Sequence, residues 1–138
     1  EECFNKTLKI AISKGIDKSR ICLDPGIGFA LTKRENLELI KGIDRIHDMG
    51  YLSFLGVSRK RFVVNILTEN NIDSDIKTEE GLSNVDLASA YLSAIASFKG
   101  VNILRVHNFD KHFSAILIGD AIRMADKSED INFGAYKK

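Results

Sequence analysis

The stretch 21-ICLDPGIGF-29 decides the fold. Three apolar residues, Ile21-Cys22-Leu23, suit a short buried strand. Asp24 follows directly at its tip. Pro25, the only proline in the chain, cannot donate to a strand ladder, so the strand stops there. Gly26 and Gly28 turn the chain and leave one aromatic, Phe29, on display. Soon after, 32-TKRE-35 has the spacing of a capping box: the Thr32 hydroxyl can accept from the residue-35 N–H, and the Glu35 carboxylate can return the bond to residue 32. A helix is predicted from there to about residue 48, with Leu39, Ile43 and Ile46 inward and Gly50 beyond its end. Strand, turn and capped helix form one unit of an α/β fold.

The same alternation extends in both directions. Residues 4–14 read as a helix with Phe4, Leu8, Ala11 and Ile12 on one face and Gly15 as its stop. Residues 51–57 form a second strand, apolar enough to be buried on both faces. A short helix over 61–68, a polar loop over 70–77 and a long helix over 79–98 follow. The long helix has Leu87, Ala88, Tyr91, Leu92, Ile95 and Ala96 as its apolar face, and Gly100 ends it. Residues 101–106 give a third strand. Residues 110–127 give a last helix with Ile116, Leu117, Ala121 and Met124 packed, and the tail from residue 128 is expected to be loose. The order predicts an α/β fold with parallel strands and right-handed crossovers. Three strands cannot close a barrel and leave two raw edges, so the chain reads as part of a larger sheet.

Composition bounds the function. The chain has 138 residues, 44% hydrophobic and 28% charged, with a net charge of +1. One ordinary globular domain is expected, and neither a nucleic-acid surface nor a polybasic membrane patch is. No apolar run approaches the roughly 20 residues of a membrane span, and no signal peptide is visible. Cys3 and Cys22 have no metal-ligand spacing and read as reduced thiols of a cytoplasmic protein, with Cys22 packed in its strand. The chain opens Glu1-Glu2-Cys3, without Met, as a fragment or a processed product does.

In parallel α/β architectures binding groups gather at the C-terminal ends of the strands. Here the first strand ends at Asp24, the second at 56-GVSRK-60 and the third at 105-RVH-107. Neighbouring strands bring all three ends to one rim. Each group also has a plain structural reading. Asp24 could cap its own turn, Ser58 could cap the helix after it, and an Arg-Lys pair is usually solvated. Arg105 and His107 alternate along a strand and therefore share a side, as suits an anion. His47 and His112, in charged helical stretches, read as surface groups. A carboxylate can accept two bonds from an amidine-like N–C–N edge, and cations suit a phosphate leaving group. Without a nucleophile–base pair, charge-assisted displacement fits better than covalent catalysis.

Together 24-DPGIGF-29, 56-GVSRKRF-62 and 105-RVH-107 resemble the dihydropteroate synthase family along nearly the whole chain. The resemblance implies that residues 1–138 are the C-terminal part of a pterin-binding (β/α)8 TIM barrel, contributing its last three parallel strands with flanking helices. It implies a transferase of folate biosynthesis, condensing 6-hydroxymethyl-7,8-dihydropterin pyrophosphate with 4-aminobenzoate to dihydropteroate and pyrophosphate, with sulfonamides as competitors. Carried over, Asp24 and Lys60 would bind the pterin. Phe29, Ser58, Arg59 and Lys60 would line the 4-aminobenzoate pocket, and Arg105 and His107 would hold the pyrophosphate. Mg²⁺ would assist departure of pyrophosphate, its ligand expected in the N-terminal half of the barrel. Two positions depart from the family pattern: Ala30 stands where glycine is usual, and Asn108 stands where Asp usually follows the RVH motif. Alanine does not take a positive φ cheaply, so the loop is expected to differ at Ala30. The segment alone is expected to bind substrates weakly and not to turn over. Two other readings are a pterin-binding methyltransferase domain and a non-catalytic half-barrel that pairs with itself or with an N-terminal half. The open edges predict a dimer or larger assembly.

Overall fold

The structure, a computed structural model, describes residues 2–127. The chain runs α1 (Glu2–Ser13), a single 3-10 turn (Lys18–Arg20), β1 (Cys22–Leu23), α2 (Lys33–Lys41), α3 (Arg45–Asp48), β2 (Leu52–Leu55), α4 (Arg61–Glu69), α5 (Glu79–Phe98), β3 (Ile103–Leu104) and α6 (Phe109–Arg123). The strands form one parallel sheet in the order β1-β2-β3, as the alternating pattern predicts. The expected loose tail lies outside the described residues.

The core lies between the sheet and its helices. Leu23, Ile27, Ile40, Ile43, Ile46, Leu55, Val57, Phe62, Val63 and Ala96 form its buried cluster with Leu8. The capping box forms as read: Glu35 N–H donates to Thr32 Oγ1 at 3.2 Å, and Thr32 N–H donates to Glu35 Oε2 at 2.7 Å. The single helix predicted up to residue 48 is two. Gly42 caps α2, and four-residue turns from Ile40 to Ile43 and from Gly42 to Arg45 rotate the chain. Ile43 and Ile46 stay buried through the break.

The register of β2 against β3 rests on side chains as well as the ladder. Phe54 and Leu55 pair with Ile103 and Leu104. Below that bridge, Ser53 N–H donates to Asn102 Oδ1 at 2.9 Å, and Asn102 N–H donates to Ser53 Oγ at 3.2 Å. His47 Nε2 lies 3.0 Å from the same Ser53 hydroxyl. His47 is therefore a half-buried member of a strand latch rather than a surface group.

Several expected core positions face outward. Ile12, Leu87, Tyr91, Ile95 and Leu117 are exposed, Ala121 is exposed, and Cys22, on the open β1 edge, is exposed too. The buried stripe of α5 is made of small residues instead, with Ser89, Ala90, Ser93, Ala96 and Ser97 inward. The reason is the close approach of α6. A Cβ at Gly119 would collide with the Ala94 carbonyl oxygen and lie 2.9 Å from Ser97 Cβ, so only small side chains fit. His112, read as a surface group, is fully buried there, with Nδ1 2.7 Å from Ser93 Oγ. Burial holds it below the ordinary histidine range.

Candidate functional site

The parallel order β1-β2-β3 places the segments after Leu23, Leu55 and Leu104 side by side. Asp24, Ser58 to Lys60, and Arg105 with His107 therefore share one rim. A Cβ on Gly56 would lie 4.0 Å from Arg105 Cβ, which measures how closely the second and third segments run.

The first loop is built locally. Asp24 Oδ1 accepts from Gly26 N–H at 2.8 Å, so the carboxylate does cap its own turn. One such bond leaves further lone-pair sites on the carboxylate, and the residue is exposed. Ile27, 2% exposed, pins the loop into the core. The buried Asn36 then shapes it: Asn36 Oδ1 accepts from Gly28 N–H at 2.6 Å, while Asn36 Nδ2 donates to the Thr32 carbonyl at 2.8 Å. Gly28 sits at φ +85°, and a side chain there would reach within 2.8 Å of Lys60 Cδ. Glycine takes this conformation without strain and leaves room for the lysine stem, which would have to shift for a larger residue. Phe29 is 71% exposed, and Lys60 Nζ stands 4.5 Å from its ring centroid, a cation–π contact joining the two loops. Ala30 adopts φ 52°. The loop keeps a left-handed residue where the family pattern has glycine, at the cost of strain.

The second loop is built from afar. Arg59 also lies in the left-handed region, at φ 56°, and α5 holds it there. Its backbone N–H donates to Ser89 Oγ at 3.0 Å, whose own hydroxyl donates to the Val85 carbonyl at 2.7 Å. Its guanidinium is bidentate to Asp86: Nε to Oδ1 at 2.7 Å and Nη2 to Oδ2 at 3.0 Å. Asp86 is only 3% exposed. The Arg59 bonds hold its carboxyl below the usual range against the opposing effect of burial, and Asn108 adds a further donor. Arg59 is therefore a paired, structural cation rather than a solvated one. Lys60, not Ser58, is the N-cap residue of α4, and it makes no side-chain cap bond.

Ser58 is 4% exposed and faces β3. His107 N–H donates to Ser58 Oγ at 3.3 Å, and Ser58 Oγ lies 3.0 Å from His107 Nδ1. The hydroxyl thus joins the second and third segments. His107 is exposed, yet slight desolvation, then the positive charges of Arg59 and Arg105, hold it below the ordinary histidine range. At neutral pH the fixed cation of the third segment is Arg105, with a neutral imidazole beside it. Asn108, the departure from the family pattern, caps α6 and donates from Nδ2 to Asp86 Oδ2 at 3.1 Å.

Asn36, Asp86 and Ser89 were not singled out by the sequence reading. A signal for two of them exists in 86-DLASAYLSAIAS-97: serines recur every fourth residue at 89, 93 and 97, one stripe of a helix, with Asp86 a turn before. Among the described residues no three His, Cys, Asp or Glu side chains are grouped to hold a metal ion. Asp86 is spent on Arg59 and Asn108. No helix among the described residues is long and apolar enough to cross a membrane.

Comparison with known proteins places this rim in context. The family pattern described as "Pterin binding enzyme" matches residues 1–107. A dihydropteroate synthase of Streptococcus pyogenes serotype M6 is 42% identical over 98 residues, 71% of this chain and 34% of that protein. The chain thus spans about a third of the length of the curated relatives it matches. The Yersinia pestis dihydropteroate synthase solved with a sulfonamide drug superposes with a TM-score of 0.76 at 27% identity, over 90% of this chain and 41% of that one. The Thermus thermophilus enzyme solved with 4-aminobenzoate gives 0.64 at 30% identity, over 83% and 40%. The fold is accordingly α/β and part of the TIM barrel of those neighbours, contributing three parallel strands with flanking helices.

Proposed function

Because the chain belongs to the pterin-binding enzyme family, we propose that it supplies one side of a dihydropteroate synthase active site, as the C-terminal part of the barrel. The observation that carries this reading is the single rim on which Asp24, Lys60 over Phe29, Ser58 and Arg105 with His107 meet. In this reading the pterin's 2-amino and N3 edge donates to the Asp24 carboxylate, which has acceptor sites beyond the one given to Gly26. Lys60 donates to the polar edge of the pterin. The aminobenzoate ring lies against Phe29, and its carboxylate meets the N-terminal end of α4, where backbone N–H groups and the helix dipole favour an anion. The Ser58 hydroxyl is already bonded to His107, so it contributes to that carboxylate only by exchanging partners. Arg59 flanks the pocket through its main chain.

The reaction in this reading is a displacement. The bond from the pterin methylene carbon to pyrophosphate oxygen breaks, and pyrophosphate leaves with the electron pair. Arg105, with His107 beside it, stabilises that charge. The aniline nitrogen of 4-aminobenzoate then bonds to the carbon and gives up a proton. Magnesium, in this proposal, is held by residues other than those described here. Sulfonamides compete for the aminobenzoate place, and the protein works in the cytoplasm. Exposed apolar faces such as Tyr91, Ile95, Phe98 and Ile122 support assembly with the rest of a barrel or with a second copy.

The test is direct. The chain is assayed for dihydropteroate formation and, separately, for binding of 6-hydroxymethyl-7,8-dihydropterin pyrophosphate by calorimetry. Weak saturable binding, lost in Asp24→Asn, with no normal turnover by the chain alone, is the expected result. Binding that ignores Asp24→Asn defeats the assignment, and normal turnover by the isolated chain defeats the claim that the site is shared.

A further inference from the structure

Residue 108 and the buried carboxylate at residue 86 are bonded directly. Asp86 Oδ2 accepts from Arg59 Nη2 at 3.0 Å and from Asn108 Nδ2 at 3.1 Å, and Oδ1 accepts from Arg59 Nε at 2.7 Å. A carboxylate is acceptor-only when ionised. An aspartate at position 108 would place a second acceptor where Asp86 needs a donor, about 3 Å from a like charge in a buried place. An amide there supplies the donor and still caps α6 through its oxygen, which accepts from Lys111 N–H at 3.4 Å. The bonds end on Arg59, one of two non-glycine residues of the rim held at positive φ. A strained residue persists only where its surroundings over-determine it, and Arg59 is held by both its side chain and its backbone N–H.

We propose that Asp86 is a positioning residue: together with Asn108 it fixes Arg59, and through Arg59 the main chain from Ser58 to Lys60, in the geometry a ligand meets. Residue 108 must offer Asp86 a donor for this to work. The ligand part of the proposal rests on the rim binding substrate as described above. The geometric part does not.

The experiment uses the full chain with Asp86→Asn, Asn108→Asp and Asn108→Ser, two readouts and two pH values. The first readout is the NMR signal of the Arg59 Nε–H, with the backbone amides of residues 58–60. The second is the dissociation constant for 4-aminobenzoate and for inorganic pyrophosphate. Asp86→Asn shifts the Arg59 signal and weakens 4-aminobenzoate about tenfold at every pH, the scale of one charge-assisted bond. Asn108→Asp behaves differently. Facing carboxylates raise one another's affinity for a proton, so the variant regains a donor as pH falls. It is defective at pH 8 and approaches the natural protein at pH 5. The charged groups facing Asp86 are Arg59 from the loop and Lys111 from α6, with His107 and His112 within electrostatic reach. The natural protein carries the same groups, so the ratio of variant to natural protein at each pH isolates residue 108. Asn108→Ser, a neutral cap, shows no such pH dependence. An unchanged Arg59 signal in Asp86→Asn overturns the proposal, as does an Asn108→Asp variant that matches the natural protein at pH 8. If unfolding temperatures drop while both dissociation constants hold, Asp86 is merely structural and the proposal fails. If the Arg59 signal responds as expected but neither probe binds even the natural protein, the geometry stands and the substrate reading of the rim is what fails.

Discussion

The loop from Asp24 to Ala30 and the loop from Gly56 to Lys60 lie side by side on the same rim, yet they are made in opposite ways. The first is held by partners two to eight residues away: Gly26 on Asp24, and Gly28 on Asn36. The second is held by partners 27 to 49 residues away: Asp86 and Ser89 on Arg59, and His107 on Ser58. A local loop forms with its own segment of chain. A remote one exists only once α5 and β3 have docked, because loop closure must precede its bonds. They meet where Lys60 passes Gly28 and covers Phe29.

Four substitutions break or sharpen this contrast, taken from the largest effect down. Arg59→Ala leaves the buried Asp86 charge with Asn108 as its remaining hydrogen-bond donor. The expected loss is about 2 kcal/mol, below the usual figure for breaking a buried pair because Arg59 is partly exposed, and denaturant unfolding measures it. The loss shrinks in acid. Asp86 is held below its ordinary value by Arg59, so the pair's stabilisation is present above the unfolded carboxylate's pKa near 4 and fades as pH falls through the lower folded value. Asn36→Ala removes the buried acceptor that holds the Gly28 N–H and costs about 1 kcal/mol. If the loops are independent, amide shifts move in residues 24–30 and stay fixed in residues 56–59. Movement of both sets would show that Lys60 couples them.

His107→Asn tests the third segment with a smaller effect. Slight desolvation and the charges of Arg59 and Arg105 hold the exposed His107 low, so the unfolded chain takes up a proton first as pH drops below about 6.5. Stability therefore declines with acidification in that window, His107 contributing less than one proton's worth of slope and the buried His112, also held low, adding to it. His107→Asn removes its share of the slope and leaves that of His112, whereas Arg59→Ala narrows the His107 share by bringing its folded value back towards the unfolded one. The smallest effect is Ala30→Gly. Relief of the left-handed strain slightly outweighs glycine's added freedom in the unfolded chain, giving about 0.5 kcal/mol of stabilisation in thermal unfolding.

The contrast also explains what could be read from the sequence. The first loop was legible because its determinants are adjacent: a strand end, proline, two glycines and a capping box, all within a dozen residues. The α/β order and the shared rim followed from periodicity and the strand-end rule. The second loop's motif was legible as a motif, but its support was not. Asp86 reads as an ordinary solvated charge until α6 closes over it. On α5 the expected face holds in part, with Ala88, Leu92 and Ala96 packed on the core, and the rest differs for a related reason. Leu87, Tyr91 and Ile95 recur at helical spacing as a core stripe does, but contact with Gly119 selects the serine stripe instead. His112 was misplaced with it, since a histidine among charged residues gives no sign of a buried serine partner.

The two serines of β2 and its extension have a consequence for how the sheet finds its alignment. β2 and β3 share only two paired residues, too short a ladder to resist slipping by itself. Ser53 bonds Asn102 at one end and Ser58 bonds His107 at the other. In both strands these bonding positions are five residues apart. They work as matched gauge marks: both coincide at one alignment, and displacing either strand by a residue misses both. The same hydroxyl that borders the rim is thus half of the ruler that tells the last strand where to stop.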